Sequence, residues 1–466
     1  MVMVPLLSFF ISFCTLWLFS SQSLAHLPAY FHGTWAISHG YTPAMSIPGM
    51  WSQIASALTI LSLLAAIVIG LVVNGKRIRS AQCLLLGVMA FWAWKEGFTR
   101  QDWGYWRHPV IFYGTTLLIA SAGTVLLSKE STRRLSILAY AAYAIALGSS
   151  LRGYSLSPLS YKHVLRNYER FLTLISSKSH QEAEQRSQTM AIQKEYRLSN
   201  GVLNAVGHES VNVLPWSLMM AQGYRMDLVA SPVLQTYSVY THYLDHKNAQ
   251  QIWDGRSADK IIYRYRTLDS RYPVFDEPST FRAMLTCYRT KYPGSPYSVL
   301  SHVPCAPPKL LAVDKPGEGA FGEWVAIPRR ASYVDFSVHT TIIGHIANIF
   351  YKPTPVWIFF RLADGSVKGP FRFIYPLAKD ELFIRYFVNS LSDIDRLFST
   401  DVSGLQRIAA IKITNSSHVN YFPPFTNNPH SFDYAKRFKV LFFATLHAIN
   451  ILGGISVRRP SAEHQR

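Results

Sequence analysis

The sequence predicts a multi-domain membrane protein, in which an α-helical transmembrane block precedes an extracytoplasmic α/β module and a β-sandwich-like domain. Three observations lead to this fold class. Hydrophobic residues make up 49% of the 466 residues and charged residues only 16%, whereas about a quarter of an ordinary soluble domain is charged. The apolar excess is concentrated in the first third of the chain. The remainder alternates short strand-like and helix-like segments, which is typical of layered α/β and β domains.

Five apolar runs in the first third approach the length of about 20 residues that a helix needs to cross a bilayer. The first run ends in Ser-Leu-Ala, as a cleaved signal peptide does, but no lysine or arginine precedes it. Both interpretations stay open, and the four runs that follow favour a spanning helix. The third run is the weakest, because its uninterrupted apolar part stops at Trp94. The predicted spans are 5–25, 52–74, 81–98, 110–127 and 135–151.

The short loops between these runs predict the orientation of the block. Residues 75–80 and 128–134 each contain three lysines or arginines, whereas residues 26–53 contain none. Cytoplasmic loops carry the excess of basic residues, so we expect the two basic loops in the cytoplasm and residues 26–53 outside. The loop 95–109 also has three bases, which weakens this orientation without reversing it. The prediction is a multi-pass protein of the bacterial inner membrane, with everything after residue 151 outside the cytoplasm.

Four segments are predicted after the helical block. Residues 152–200 are predicted to form a helical stalk that leaves the membrane, because apolar residues recur at helical spacing. Residues 201–310 form an α/β module, in which strand-like runs such as SVNVLP and KIIYRY alternate with short helices. Residues 325–457 contain five or more β-rich runs separated by turn signals, which indicates a β-sandwich-like domain. Residues 458–466 are predicted to be a disordered tail.

The polar stretch KEGFTRQDWGYWRH, residues 95–108, lies between two predicted spans. Charges this close to a bilayer are costly unless they are paired or hydrated. One interpretation is an interfacial loop with an aromatic belt and basic side chains that reach the headgroups. The other is a polar site at the membrane face. Its candidate residues are the carboxylates Glu96 and Asp102, catalytic only if the protein is an enzyme, and the binding residues Lys95, Arg100 and His108.

The two carboxylates at this stretch are six residues apart, so on one continuous helix they would point about 240° apart. They converge only if the helix ends at Gly97. A carboxylate at a membrane face can act as a base or hold a metal ion, and the alternative is charge pairing with the neighbouring bases. Three upstream histidines are spaced by six and seven residues, which is not the spacing of helix metal ligands; they are His26, His32 and His39. No metal site is predicted, and no motif indicates a cofactor.

Two further stretches carry candidate binding residues. QTYSVYTHYLDHKN, residues 235–248, is dense in aromatic side chains with a polar tip, which suits contacts with a sugar or a lipid headgroup. DSRYPVFDEP, residues 269–278, is a charged turn in which a base is flanked by acids. Domain packing is the alternative for the first stretch, and structural ion pairs are the alternative for the second. The candidates are Tyr237, Tyr240, Tyr243, Asp269 and Arg271.

Four motifs occur in the order HLPAYFHGTWAISHGYTPAM, KEGFTRQD, SPVLQTYSVYTHYLDHKNA and DSRYPVFDEP. In this order they resemble an uncharacterised family of bacterial polytopic inner-membrane proteins, and the resemblance covers residues 26 to about 390. Members of that family have further membrane helices upstream. The resemblance therefore implies that this chain is the C-terminal part of a longer member and that residues 5–25 span the membrane.

The layout of a helical block followed by an outward domain is also similar to that of the lipid-dependent glycosyltransferases of the C superfamily. This similarity is an analogy of layout alone. Those enzymes typically place an acid in the first outward loop, whereas residues 26–53 contain no aspartate or glutamate. Under this resemblance the catalytic acid is Glu96 or Asp102, or lies in an upstream part.

Two hypotheses of function follow. The abundant aromatic residues, without a nucleophile motif or a phosphate-binding loop, favour a non-enzymatic protein whose outward domains bind cell-envelope glycan, lipid or a protein partner. The alternative is a polyprenyl-lipid-dependent glycosyltransferase or its C-terminal fragment. The lipid bilayer is a partner under both hypotheses. The net charge of +19 does not indicate a nucleic-acid partner, because the basic residues are scattered and no zinc spacing or RNP motif is present.

The sequence also predicts a disulfide between Cys287 and Cys305, the only cysteines after residue 151. Disulfides persist outside the cytoplasm. The predicted helix PSTFRAMLTCY delivers one cysteine, and the strand SVLSHV returns the chain towards it. This arrangement can bring the two Cα atoms within the roughly 4.4–6.8 Å that a disulfide needs.

We expect mass spectrometry of the non-reduced, denatured protein to find no alkylated thiol at Cys287 or Cys305, and to find both alkylated after reduction. The closed loop is expected to contribute on the order of 3 kcal/mol to the free energy of unfolding. Cys14 and Cys83 are internal controls, because they should alkylate under both conditions. Two free thiols at 287 and 305 would contradict both the bridge and the outward location of the domain.

Overall fold

The computed structural model describes residues 3–47, 49, 51–73, 80–101, 111–119, 137, 140–141, 143–144, 161–313, 317–340, 342–353, 355–414 and 435–445. Two predicted site residues, Asp102 and His108, lie outside these ranges. So do half of the fourth predicted span, most of the fifth and the predicted tail.

The described N-terminal residues form four long helices. They are α1 (Met3–Phe19), α2 (Leu27–Met45), α3 (Trp51–Val73) and α4 (Ser80–Thr99). α3 and α4 coincide with the second and third predicted spans to within one residue at each end. Residues 111–119, inside the fourth predicted span, are also helical. α3, α4 and this segment share a small apolar core that includes Ile60, Phe98 and Phe112.

The chain after α1 differs from the prediction. α1 ends at Phe19, before the polar run SSQS, and a 3-10 turn at Leu24–His26 follows. α2 then occupies most of residues 26–53, where the sequence predicts an outward loop. Pro28 lies in the first turn of α2, where a missing N–H breaks no helical hydrogen bond. A helix therefore occupies most of the segment that is predicted to be an outward loop.

Judged by length and hydropathy, no single helix in the described ranges suffices to cross a bilayer. Leu7–Phe19 and Leu24–Met45 pass that test only as a pair, and the pair is bent by 115° at its break. Ser52–Ala66 is apolar but shorter.

Two helices follow the helical block, and they pack side by side. They are α5 (Tyr161–Ser176) and α6 (Lys178–Glu195). Arg170 and Glu184 form an ion pair although they are 14 residues apart, a separation of about 21 Å along one straight helix. The chain therefore reverses at Ser177, and this part is a helical hairpin rather than one straight stalk.

A mixed four-stranded sheet begins the domain that follows. Its strands are β1 (Val211–Leu214), β2 (Lys260–Tyr263), β3 (Tyr288–Tyr292) and β4 (Ser298–His302). The order is β1-β2-β4-β3, with β1 parallel to β2 and the other pairs antiparallel. The helices of this part are α7 (Asn200–Val206), α8 (Met219–Gly223), α9 (His242–Trp253) and α10 (Pro278–Cys287). The α/β character agrees with the sequence, but β3 is not predicted, because YRTKY lacks apolar alternation.

Two antiparallel sheets form the later part. The strands are β5 (Leu310–Ala312), β6 (Gly317–Ala320), β7 (Trp324–Ala326), β8 (Tyr333–Thr340), β9 (Val356–Leu362), β10 (Val367–Phe373), β11 (Leu382–Phe383), β12 (Ile408–Thr414) and β13 (Ala435–Thr445). One sheet has the order β10-β9-β12-β7, and the other has the order β11-β8-β13-β5 with β6 also paired to β13. The residues LADG, which are typical of a hairpin turn between two alternating runs, join β9 to β10, and Gly365 supplies the positive φ of 85° in this turn. The helices here are α11 (Ile342–Phe350) and α12 (Leu391–Phe398).

One apolar core connects the mixed sheet with the antiparallel sheets. Tyr272 is fully buried at its centre. Its ring centroid lies 5.0 Å from that of Phe360 in β9 and 5.7 Å from that of Phe387. Phe281 in α10 lies 6.0 Å from Phe383 in β11. The predicted α/β module and the predicted sandwich-like domain thus share a single interior.

A disulfide joins Cys287 and Cys305, whose Cα atoms are 5.1 Å apart. This distance lies within the range of roughly 4.4–6.8 Å found for disulfides. Cys287 is the last residue of α10 and is fully buried in the shared core, against which Cys305 also packs. The bridge therefore fastens the segment after β4 to the interior of the domain.

Candidate functional site

The end of α4 carries the strongest ion pair of the predicted site residues. The guanidinium of Arg100 donates from both terminal nitrogens to the two carboxylate oxygens of Asp269, at 2.8 and 2.9 Å. Both side chains are about nine-tenths buried. A bidentate pair of this kind is the strongest common geometry between arginine and a carboxylate. It connects two of the stretches that the sequence singles out.

The turn that presents Asp269 also recruits two further arginines. Asp269 and Ser270 both have positive φ, 54° and 58°, a conformation that aspartate tolerates better than most residues. The Arg372 side chain in β10 lies 3.5 Å from Asp269, and its backbone N–H donates to the Ser270 carbonyl at 2.8 Å. The guanidinium of Arg271 lies 3.7 Å from the buried carboxylate of Asp276. A single turn thus organises three buried guanidinium groups.

These cations hold the C-terminal end of α2. Arg271 donates to the Ala44 carbonyl at 3.0 Å, and Arg372 donates to the Ser46 carbonyl at 2.7 Å. The last carbonyls of a helix have no partner within it, and cations are favourable at that end. Burial, and next the charge of Arg271, lowers the pKa of Arg372 to about 9. The two arginines of the domain therefore attach the C-terminal end of α2 through charged hydrogen-bond donors.

Lys352 continues this set. Its ammonium donates to the Ile47 carbonyl at 2.7 Å and to the side-chain carbonyl of Gln101 at 2.6 Å. Burial, and next the charge of Arg372, lowers the pKa of Lys352 well below its usual range. The approach is close: a Cβ on Gly49 would lie 2.3 Å from the Cβ of Gln101. The contact with Gln101 therefore leaves no space for a side chain at position 49.

Lys95 binds a second helix end. It donates to the carbonyls of Asn348 and Tyr351, each at 2.8 Å, and Trp94 donates to the Phe350 carbonyl at 2.6 Å. These carbonyls belong to the end of α11 and the residue after it, where lysine is a favourable capping group. The last turns of α4 are therefore fastened to the later domain. We refer to the following set as the junction cluster: Lys95, Arg100, Asp269, Arg271, Lys352 and Arg372.

Glu96 is exposed on the last turn of α4, and α4 continues through Gly97 to Thr99. The condition under which Glu96 and Asp102 would converge, a helix end at Gly97, is therefore not met. Asp102 and His108 lie outside the described residues, so the structure does not report on their positions.

The three predicted tyrosines contact other aromatic side chains. Tyr240 is buried, with its ring edge-on to Tyr41 of α2 at 5.9 Å. The ring of Tyr243 lies 3.9 Å from that of His32 in α2. Tyr237 lies edge-on to Trp216 at 5.5 Å, and its backbone carbonyl accepts a hydrogen bond from Arg271 at 3.0 Å. Tyr240 and Tyr243 thus pack α9 and the segment before it against α2, which corresponds to the packing alternative.

A histidine–aspartate pair was missed by the sequence analysis. The Nδ1 atom of His242 bonds to the buried carboxylate of Asp380. About two-thirds of the His242 side chain is exposed, whereas Asp380 has no exposed side-chain surface. Burial lowers the pKa of His242, but the bond to Asp380 outweighs this and raises it. Burial, and next the charge of Asp245, raises the pKa of Asp380 to about 7. Both shifts therefore favour the protonated forms of the two groups.

The buried carboxylate of Asp380 orients the imidazole of His242 through Nδ1, and most of the side chain remains exposed to solvent. A ring fixed in this way can accept or donate a proton at its other nitrogen. His246 follows one turn later in α9, with its ring centroid 5.9 Å away. The spacing of the two histidines was visible in THYLDH, but nothing in the sequence connects either to Asp380. Within the described ranges, no group of three or more histidine, cysteine, aspartate or glutamate side chains has the arrangement of a metal site.

Buried carboxylates hold α10 against α9. Asp245 accepts hydrogen bonds from the N–H groups of Ser279 and Thr280, at 2.7 and 3.0 Å, and so caps the first turn of α10. Glu277 accepts a hydrogen bond from the Asn248 side chain at 3.1 Å. Burial, and next the charge of Asp245, raises the pKa of Glu277 to about 8. These groups are structural, since each contacts a neighbouring helix.

Comparisons with protein-family models, with curated proteins and with solved structures found no match to this chain.

We expect Asp269→Asn to destabilise the folded protein by about 3–5 kcal/mol, because two buried guanidinium groups lose their shared counter-charge. Asparagine retains the shape and the tolerance of positive φ. The measurement is thermal unfolding of the detergent-solubilised protein, followed by tryptophan fluorescence. Asp254→Asn is the matched control, since Asp254 forms an exposed ion pair with Arg256, and such pairs contribute little. Equal melting temperatures for the two variants would refute the structural importance of the junction cluster.

We expect the stability to fall as pH rises between about 4.5 and 8, in part because of Glu277. Its pKa is higher in the folded state, so the folded protein retains a proton in this window that the unfolded chain loses, and deprotonation opposes folding. One such group contributes at most about 1.4 kcal/mol per pH unit. Glu277→Gln should therefore flatten the dependence of melting temperature on pH, whereas the exposed Glu323→Gln should not. An unchanged slope in the Glu277 variant would contradict this assignment.

Proposed function

We propose that this chain is a multi-pass protein of the bacterial inner membrane, and that its extracytoplasmic domains bind cell-envelope glycan, lipid or a protein partner. The observation that supports this best is the apolar surface that α1 to α4 expose. Monomeric soluble proteins rarely expose a large continuous apolar surface, whereas helices that are apolar on all sides suit a bilayer. The exposed side chains include Leu7, Phe9, Phe10, Leu16, Phe19, Trp35, Leu58, Leu84, Leu85 and Trp92.

The connection between α2 and α4 supports the proposed orientation. The Ile47 N–H donates to the Thr99 carbonyl at 3.1 Å, and the Gln101 N–H donates to the Ile47 carbonyl at 3.2 Å. α3 therefore begins close to where α4 ends, and both ends lie against the later domain. This is the arrangement expected if residues 26–53 and the end of α4 face outward while the basic loop 75–80 faces the cytoplasm.

Further features support an extracytoplasmic domain. The Cys287–Cys305 disulfide suits an oxidising compartment.

We propose that the mixed sheet is the core of the α/β module and that the two antiparallel sheets make up the β-sandwich-like domain. On the resemblance of its four motifs, we propose that the chain is the C-terminal part of a longer member of the uncharacterised polytopic family.

The alternative proposal is a polyprenyl-lipid-dependent glycosyltransferase of the C superfamily, or its C-terminal fragment. One observation favours it: Glu96 is exposed on the last turn of α4, next to the domain. A carboxylate in this position suits a base at the membrane face. A neighbouring upstream reading frame that encodes a helical block with an outward acidic loop would favour this alternative over the binding protein.

We expect a membrane-impermeant maleimide to label Val367→Cys in intact spheroplasts, and to label Ile78→Cys only after permeabilisation. Val367 is exposed at the start of β10, and position 78 lies in the basic loop predicted to be cytoplasmic. Both variants are made in a Cys14→Ser, Cys83→Ser background. The same residues labelled after permeabilisation are the control for reactivity. Equal labelling of the two positions from outside would overturn the proposed topology.

A further inference from the structure

α5 has one apolar face, and the described residues leave it exposed. At 100° per residue, five apolar residues of this helix fall within an arc of about 120°. Their exposed fractions lie between 39% and 60%. A helix with such a face normally buries it against another element. The residues are Leu165, Tyr168, Phe171, Leu172 and Ile175.

The face of α5 opposite this arc is polar. Arg166 and Arg170 lie on it, Glu169 lies beside Arg166, and all three are exposed. Arg170 pairs with Glu184 of α6, which fixes α5 beside α6. A helix with aromatic and aliphatic residues on one side and arginines on the other has the pattern of helices that lie in a membrane interface.

The apolar surface extends beyond α5. Phe171 and Ile175 also line a cavity of ≈ 580 Å³ together with Ile192 of α6 and Met219 of α8. Glutamines, a glutamate and Thr189 form the rest of its lining. Two residues of the apolar arc are therefore shared with the wall of this cavity, next to apolar side chains of α6 and α8.

The chain keeps α5 close to the bilayer. The fifth predicted span ends at residue 151, and α5 begins at Tyr161. The ten residue steps between them reach at most about 35 Å when fully extended. A helix so tethered and oriented along the bilayer surface can insert its apolar arc, whereas a helix perpendicular to the membrane would leave the same arc in water.

We infer that α5 lies in the plane of the outer membrane–water interface, with its apolar arc among the acyl chains and Arg166 at the phosphates of anionic lipid headgroups. This inference rests on the proposed membrane location of the chain. Burial of the apolar arc provides the attachment, and Arg166 adds attraction to negative lipid. α5 then sets the height at which the domain stands above the bilayer.

Spin labels on the full-length chain in nanodiscs of phosphatidylglycerol and phosphatidylcholine test this. Labels are placed at Tyr168→Cys or Leu172→Cys on the apolar arc, at Asn167→Cys on the polar face, and at Met190→Cys on α6 as a water reference. Leu58→Cys on α3 is the membrane reference. We expect the apolar-arc labels and Leu58→Cys to collide more with oxygen than with a water-soluble nickel complex, and the other two labels to show the reverse.

The outcomes separate the inference from the proposed function. Lipid exposure at Leu58→Cys with water exposure at both Tyr168→Cys and Leu172→Cys overturns the inference and leaves the membrane location standing. Water exposure at Leu58→Cys overturns the membrane location itself. Shielding of the apolar-arc labels from both reagents means that protein rather than lipid covers α5, and it also overturns the inference.

The lipid charge is tested separately. Arg166→Gln, or nanodiscs of phosphatidylcholine alone, should each increase collisions of the Tyr168→Cys label with the nickel complex, because the helix loses its attraction to negative headgroups. Arg256→Gln, an exposed arginine of the domain, is the matched control and should leave the label unchanged. Identical collision rates in both lipids, and in the Arg166 variant, would overturn the assignment of anionic headgroups.

Discussion

The bidentate pair of Arg100 and Asp269 is the interaction on which the contact between the helical part and the domain depends. The two residues are 169 positions apart in the sequence. Asp269 meets Arg100 because the turn that contains it has positive φ. The same turn positions Arg372 through the carbonyl of Ser270. Loss of this one carboxylate would leave two buried guanidinium groups without their common counter-charge, which is among the most destabilising changes a folded protein can suffer.

The junction cluster contains more cations than anions, and helix ends explain how it is tolerated. α2 and α11 both direct their C-terminal carbonyls at it, and each helix end carries a partial negative charge. Arg271 and Arg372 bind the end of α2, and Lys95 binds the end of α11. Burial still disfavours the charged forms, as the lowered pKa values of Arg372 and Lys352 indicate. The arrangement holds only while both helix ends stay in place, so it couples the fold of the domain to the position of the helices.

Local sequence patterns predicted the positions of helices and strands better than they predicted the tertiary contacts between them. α3, α4, β8 and the β9–β10 hairpin follow from runs of apolar residues and a turn signal, which depend on near neighbours in the chain. The pairing of Arg100 with Asp269 depends on tertiary folding, so charge alone marked both residues without joining them. Tyr240 was singled out for its chemistry, yet α2 covers it, because a helix replaced the predicted loop. His242 and Asp380 were separated by 138 residues, and no pattern within the chain connects them.

The positions of these groups limit the surfaces at which a ligand can bind. The cations of the junction cluster donate to oxygens of the protein itself, and they serve the attachment of helices rather than the capture of a soluble anion. Tyr240 and Tyr243 are engaged by α2. Two exposed features of the described residues lie elsewhere: the imidazole of His242, oriented by a buried carboxylate, and the apolar arc of α5. The first offers a polar contact to a partner, and the second offers an apolar one. The sequence marks the residues that hold the protein together, and the surfaces left for binding emerge only from the fold.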